Sequence, residues 1–445
     1  MPVPIRKQYF KMNNYFKILE KIKHKKARIG VIGQGYVGLP LSVCFAKNGF
    51  SVTGLDVDKK KVQAINRGEN YLPEMGIDRD LKKAVRQGRL RASSEIILEV
   101  KGQDVIIICV PTPVDKKKKP DISLLKKASS DIGLAEPKGK LIVNESTVAP
   151  LTTLSIVGKI ITQKSRLKPG VDFFLACSPE RINPGDSEHR LENTPKVVAG
   201  LGLRDLQLVK TLYKQVIKAP LVTVSSLVAA ETVKMLENSY RAVNIALINE
   251  LAKFCQKINI DVLEIIEAAK SKWTFQAHWP GVGVGGHCIP VDPYYLLAEA
   301  KRHGVKMPVL EKAMAENESM PRFVLDQILS VYQPGQKVLV YGLAYKRGVK
   351  DIRESPALEL CRLMKKKQIN FAVYDPYFRA AEVKNLGFEP GKLEAVDILV
   401  VATDHSQLKE DAKKLISKKT IIIDGRNFFK EKVGSKVIGV GRRLE

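Results

Sequence analysis

No CxxC pair occurs among the six cysteines, Cys44, Cys109, Cys177, Cys255, Cys288 and Cys361, which lie scattered along 445 residues. That spacing argues against a structural zinc site and against a disulfide framework, so no metal and a reducing, cytoplasmic setting are expected. An apolar run of 18 residues is also missing, as is the apolar core of a secretory signal, so no membrane span is expected. Aromatic residues are few, at 7%, and no helix-turn-helix signal or interleaved basic–aromatic pattern accompanies the net charge of +27. A nucleic-acid partner is therefore not expected, and the excess of cations fits a surface that favours small anions. The lysines are spread along the chain, with one local run, Lys116 to Lys119, in a loop.

The length allows two or three domains, each with its own core. From Ala27 the pattern is strand (ARIGVIG), glycine turn (GQGYVG), helix (LPLSVCFAKNG) and strand (FSVTGLDVD). DVIIICVPTP, KLIVNEST and VDFFLACSPER continue as buried strands that end in small or polar residues, as strands near a ligand do. Residues 221–324 read as a helical middle with a long helix free of proline and glycine, a spine or an oligomer interface. From residue 325 the alternation restarts in QKVLVYGLAYK, FAVYDPY, AVDILVVATDH and KTIIIDGRN, without a second GxGxxG. The expected fold class is thus α/β: two Rossmann-like doubly wound domains, 27–220 and 325–445, joined by a central helical domain, with an active site in the cleft between lobes.

Gly33, Gly35 and Gly38 match GxGxxG between a strand and a helix, where glycines allow a tight turn and the helix N-terminus favours a pyrophosphate. Asp56 closes the next strand, 18 residues past Gly38, where a carboxylate accepts from ribose hydroxyls and repels a 2′-phosphate. NAD is therefore expected rather than NADP, a preference that Lys59, Lys60 and Lys61 soften.

GVGVGGHCIPVDP presents Cys288 in a glycine loop, with Asp292 four residues on. Adjacent His287 and Cys288 diverge and have no second pair, which disfavours a metal. A packing thiol and a nucleophile both remain open on these residues. Lys234 and Asn238 stand at i and i+4 on one helix face, where they could hold an oxyanion or lie solvated on a surface.

Taken in order, GQGYVG, LDVD, VPTP, EST, SPER, ETVKMLENSYRAVNIALINE, GVGGHCIPVDPYYL, GLAYKRGVKDIRESP and IIIDGRN resemble the UDP-sugar 6-dehydrogenases over residues 27 to 440. SPER with GGHCIPVDP most resembles the branch acting on UDP-N-acetylhexosamines, such as the UDP-N-acetylglucosamine 6-dehydrogenases. The resemblance implies a four-electron oxidation of a sugar C6 alcohol to a carboxylate with two NAD, for surface polysaccharide or glycan synthesis. It also implies that Cys288 carries first a thiohemiacetal and then a thioester. Lys234 and Asn238 would stabilise the oxyanion, Asp292 would assist water or the lysine, Glu180 would activate water, and Thr147 would position water or cofactor. Tyr36, Val37, Lys61, Thr112 and Arg353 join the glycines and Asp56 as cofactor contacts. Trp279, Pro280, Gly281, Gly285, Tyr345, Lys346 and Arg426 would hold the UDP-sugar, and Arg181 an acetamido or carboxylate group. A homodimer or higher homo-oligomer is implied, and UDP-glucose and UDP-N-acetylmannosamine are alternative substrates. A non-catalytic nucleotide-sugar sensor would need no such set of Cys288, Lys234, Asn238 and Asp292. Val282 and Val284 depart from the loop pattern. The first 26 residues lie outside the match and read as a basic extension, a disordered arm or a stretch before the true start.

Overall fold

The computed structural model describes residues 5–72, 75–115, 117–182, 188, 190–431, 433 and 436–444; Lys116 of the lysine run lies outside them. By its contacts the chain divides into two compact units, Met1–Leu236 with Tyr294–Glu299, and Glu237–Pro293 with Ala300–Glu445. The division falls within one 31-residue helix, Leu227–Lys257.

The first unit is built on an eight-stranded sheet: β1 (Arg28–Ile32), β2 (Ser51–Leu55), β3 (Leu90–Ser93), β4 (Val105–Ile108), β5 (Leu141–Asn144), β6 (Phe174–Cys177), β7 (Lys196–Gly200) and β8 (Leu221–Thr223). Their spatial order is β3-β2-β1-β4-β5-β6-β7-β8. All neighbours run parallel except β6 and β7. The reversal of order beside β1, at β4, is the switch point where open α/β sheets bind ligands. Register is set at β1, where Ile29 lies opposite Val52 on one side and Val105 on the other. Ile106, Ile107, Ile108, Leu141, Ile142 and Val143 are wholly buried. Helices on both faces explain why these strands read as unbroken apolar runs, and each such side chain contributes about 1.5–3 kcal/mol by leaving water.

The second unit repeats the plan with β9 (Val338–Tyr341), β10 (Phe371–Tyr374), β11 (Glu389–Pro390), β12 (Ile398–Val401), β13 (Ile421–Asp424), β14 (Val437–Gly439) and β15 (Arg442–Leu444). Their order, β11-β10-β9-β12-β13-β14-β15, is the same permutation, closed by one antiparallel strand. Local chemistry sets the helix starts. Asp58 accepts from the Lys60 amide at the head of Lys59–Asn66, and Asp261 does the same for Leu263 at the head of Val262–Ala269.

The N-terminal stretch differs from the expected arm. Residues Ile5–Lys23 form a helix against the helix Leu203–Lys214. Ile18, Leu19 and Ile22 are buried in the core of the first unit, and Lys21 Nζ lies 2.6 Å from Asp104. The apolar residues recur at helical spacing among the lysines, so a count of charge hid an amphipathic face.

Candidate active site

The GxGxxG turn uses its three glycines differently. Gly33 has φ +91°, and a Cβ there would meet the Cys109 carbonyl oxygen at 2.6 Å. A Cβ on Gly38 would stand 1.8 Å from the Gly33 carbonyl oxygen. At Gly35 a Cβ would meet nothing within 4 Å, so this position faces open space beside the start of the helix Gly38–Lys47. That is the arrangement a pyrophosphate needs: backbone that can be approached, at a helix N-terminus. Tyr36 and Val37 are half-buried in the same turn.

Asp56 closes β2, buried, and takes the Gln34 amide on Oδ2 (2.8 Å) and the Asp58 amide on Oδ1 (2.9 Å). Each oxygen keeps a second acceptor position for a ribose hydroxyl. Lys61 Nζ is 3.7 Å from Asp56. The donor set fits NAD. Thr112 and Thr147, from the ends of neighbouring strands, meet directly, the Thr112 hydroxyl donating to the Thr147 carbonyl at 2.7 Å.

Beside them lies a buried polar group that sequence reasoning missed except for Glu180. Lys196 Nζ sits 3.0 Å from Glu145 and 2.8 Å from Glu180, and Tyr213 donates its hydroxyl to Glu145. Glu180 also takes the amides of Arg181 and Ile182, each at 2.7 Å. Burial raises the Glu180 carboxyl, but Lys196 and these donors outweigh it and hold it below the usual carboxylate range. Burial pushes the Glu145 carboxyl up to about 7, with Lys196 pulling the other way. The Arg181 guanidinium donates to the Pro195 carbonyl at 3.1 Å.

On the long helix, Glu231, Lys234 and Asn238 are all buried, at 2%, 8% and 5% exposure. The solvated-face alternative for Lys234 and Asn238 is therefore wrong. Glu231 accepts the Thr153 amide at 2.6 Å and so ties this helix to the segment after Thr147. Burial pushes its carboxyl up to about 7, and its Oε2 has no hydrogen-bond partner among the described residues.

In the second unit, Asn238 Nδ2 donates to Asp292 Oδ2 at 2.5 Å. Asp292 begins the helix Asp292–Arg302, and its amide donates to the Cys288 carbonyl at 2.8 Å, which places Cys288 one turn before the helix. Five cysteines are buried in the core as small apolar residues, and Cys288 alone is only half-buried.

The glycines before Cys288 lie close against their neighbours. A Cβ on Gly285 would lie 2.5 Å from the Tyr345 Cβ, and Val282 is wholly buried. Asn249 fixes the start of the loop by accepting the Gly281 amide, and Asn317 holds Asn249 at 3.0 Å. Pro280 and Gly281 are buried, while Trp279 is exposed. Gly281 also lies against Arg426, whose Nε donates to Asp404 at 3.1 Å. Lys346 Nζ stands 5.8 Å over the Tyr345 ring, and Arg353 forms a two-point ion pair with Asp351. Asp375 ends β10 as Asp56 ends β2, but it receives the Leu343 and Ala344 amides and pairs with buried His405 at 3.1 Å. Asp375 Oδ2 is thus filled from within, unlike either oxygen of Asp56. Among the described residues no cluster of metal-ligating side chains occurs, and no helix is long and apolar enough to cross a membrane.

The sequence matches the UDP-glucose/GDP-mannose dehydrogenase family in three consecutive parts: the NAD binding domain at 27–217, the central domain at 228–319 and the UDP binding domain at 339–431. It is 36% identical to a UDP-N-acetyl-D-mannosamine dehydrogenase of Pyrococcus horikoshii, over 93% of this chain and 99% of that one. It is 35% identical to a UDP-N-acetyl-D-glucosamine 6-dehydrogenase of Pseudomonas aeruginosa, over 90% and 96%. The solved structure of the UDP-D-ManNAc dehydrogenase from Pyrococcus horikoshii superposes with a TM-score of 0.85 at 35% identity, over 93% of this chain and 99% of that one.

Proposed function

The chain belongs to the UDP-glucose/GDP-mannose dehydrogenase family of NAD-binding oxidoreductases, and from that premise we propose that it oxidises the C6 alcohol of a UDP-N-acetylhexosamine to the uronate through Cys288. The observation that carries this reading is the setting of Cys288: half-buried where its five fellows are buried, one turn before Asp292, whose carboxylate orients Asn238.

In this reading NAD, when bound, supplies the hydride acceptor. The turn Gly33–Gly38 receives its pyrophosphate, Asp56 its ribose, and Tyr36, Val37, Lys61, Thr112, Thr147 and Arg353 flank it. The Cys288 sulfur adds to the C6 aldehyde, giving a thiohemiacetal, and oxidation of that adduct leaves a thioester. A cysteine suits both halves, because its thioester is reached by loss of hydride and still yields to water. Lys234 and one N–H of Asn238 stabilise the oxyanion, while Asp292 holds the other N–H. Glu180 activates the hydrolytic water. Lys346, Tyr345, Arg426, Trp279, Pro280, Gly281, Gly285 and Arg181 bind the UDP-sugar, residues 325–445 supplying the fixed cations a diphosphate needs.

The sugar is UDP-N-acetylglucosamine on the SPER and GGHC motifs; UDP-N-acetylmannosamine is a second reading, supported by the relative at 36% identity. The reaction belongs to surface polysaccharide or glycan synthesis in the cytoplasm, and the free cysteines suit that compartment. A homodimer is supported by Leu236, Tyr240, Leu247 and Phe254, which share one stripe of the long helix and are each about half exposed or more. The deciding experiment measures NADH formed from UDP-N-acetylglucosamine, UDP-N-acetylmannosamine, UDP-N-acetylgalactosamine and UDP-glucose. Two NADH per acetamido sugar is expected; turnover of UDP-glucose alone overturns the substrate.

A further inference from the structure

The buried carboxyl pair Glu145 and Glu180 sits at the carboxyl edge of the first sheet. Glu145 follows β5, Glu180 follows β6, Lys196 opens β7, and Tyr213 reaches in from the helix Leu203–Lys214. Exposure is 1% for Glu145, 7% for Glu180, 3% for Lys196 and 0% for Tyr213. Glu180 is thus the outer member and Glu145 the inner one.

The acceptor count on Glu180 is close to complete. Its Oε1 takes two backbone amides, and its Oε2 takes Lys196. A carboxylate offers about four acceptor positions, so among the described residues one remains, on Oε2, while Glu145 is ionised. Glu145 shares the same lysine and, only when protonated, donates to Glu180. Such a group, two carboxyls around one ammonium, holds a single mobile proton more readily than two full charges.

We propose that Glu145 and Lys196 are positioning residues for Glu180: Lys196 fixes Glu180 as an anion with one acceptor position left for water, and Glu145 stores the proton that Glu180 removes. The inference rests on the reading of Glu180 as the group that activates water in thioester hydrolysis. In that step an O–H bond of water breaks and its proton passes to Glu180 and on to Glu145. The water oxygen bonds to the acyl carbon, the C–S bond to Cys288 breaks, and its electron pair stays on sulfur. The acid product gives its remaining proton to the thiolate, and Glu145 later returns its proton to solvent. Nothing is oxidised or reduced.

The direction of transfer follows from the two environments. Glu180 is held low by Lys196 and the backbone amides against burial, and Glu145 is pushed up to about 7 by burial, so a proton arriving on Glu180 moves inward. The other titratable groups facing Glu145 are Cys109 after β4, Cys177 in β6 and Tyr213. All three are raised well above their ordinary values, burial first, and stay neutral. Lys196 is held protonated by the two carboxylates against burial.

The test compares wild type, Glu145→Gln and Tyr213→Phe as full-length proteins, reading kcat against pH and the acyl adduct on Cys288 after rapid quench. In Glu145→Gln the limb with a midpoint near pH 7 should vanish. Its kcat should fall about tenfold or more with both KM values within about twofold, and the acyl adduct should accumulate. Tyr213→Phe removes a donor that favours ionised Glu145, so its limb should move to higher pH. Adduct formation with an unaltered pH profile in Glu145→Gln, or an unmoved limb in Tyr213→Phe, overturns the inference alone. A wild type that forms no adduct with any UDP-sugar overturns the mechanism beneath it, and the inference with it.

Discussion

Replacing Lys196 by Met removes the one cation that the described structure sets between Glu145 and Glu180, 3.0 and 2.8 Å away, while keeping an unbranched side chain one atom shorter. At an effective dielectric constant of about 20, an ion pair at about 3 Å is worth roughly 5–6 kcal/mol gross. Stripping the partner from a buried pair costs about 3–5 kcal/mol net, because the orphaned carboxyls relax and take up protons. That escape gives the prediction its signature. A carboxyl whose folded pKa is raised gives stability that is present at acid pH and lost as pH rises through the folded value. If Lys196→Met leaves the folded state with one extra bound proton, its deficit against wild type widens by about 1.4 kcal/mol per pH unit above neutrality. Hydrogen exchange of amides in β5, β6 and β7, measured between pH 6 and pH 8.5, reads this locally. A deficit below about 1 kcal/mol, constant across that range, would mean that Lys196 does not hold the pair ionised, since a buried pair without its counter-charge cannot be so indifferent.

Other consequences are as specific. Gly38→Ala forces a methyl to 1.8 Å from the Gly33 carbonyl, so the nucleotide turn must open; NAD affinity measured by calorimetry should drop about tenfold or more, while UDP binding holds. Asp56→Asn removes the repulsion toward a 2′-phosphate, and the ratio of NAD to NADP efficiency should fall; an unchanged ratio counts against the ribose assignment. Glu231 is raised from 4.5 to about 7 by burial, so it favours the fold at acid pH and costs about 3 kcal/mol once pH passes 7. Glu231→Gln keeps an acceptor for the Thr153 amide and does not ionise, so its melting temperature should exceed that of wild type at pH 8.5 and approach it at pH 5.

Much of this architecture is legible in the sequence, for identifiable reasons. Strands buried on both faces need unbroken apolar runs, and VIII at 105–108 or ILVV at 398–401 can be little else. GxGxxG with Asp56 is local chemistry at fixed spacing. Cys288 stands out because its loop is unlike the settings of the other five cysteines. The Lys196 group was hidden because its members are 51, 16 and 68 residues apart and meet only through the strand order. Glu145 stands two residues before Thr147 in the same short motif, yet nothing in a one-dimensional reading distinguishes a wholly buried glutamate from a solvated one. The Cys288 loop is legible only in part: its glycines are evident, but that Gly285 packs against Tyr345, more than 50 positions along the chain, is not.

Whether Cys288 carries the sugar between the two oxidations is read by rapid-quench mass spectrometry of the wild-type enzyme during turnover of UDP-N-acetylglucosamine and NAD. A UDP-sugar acyl adduct on the peptide containing Cys288 should form and decay at rates consistent with kcat, and none should form in Cys288→Ser. Full uronate production by Cys288→Ser, or turnover of wild type with no adduct on that peptide at any quench time, would contradict it.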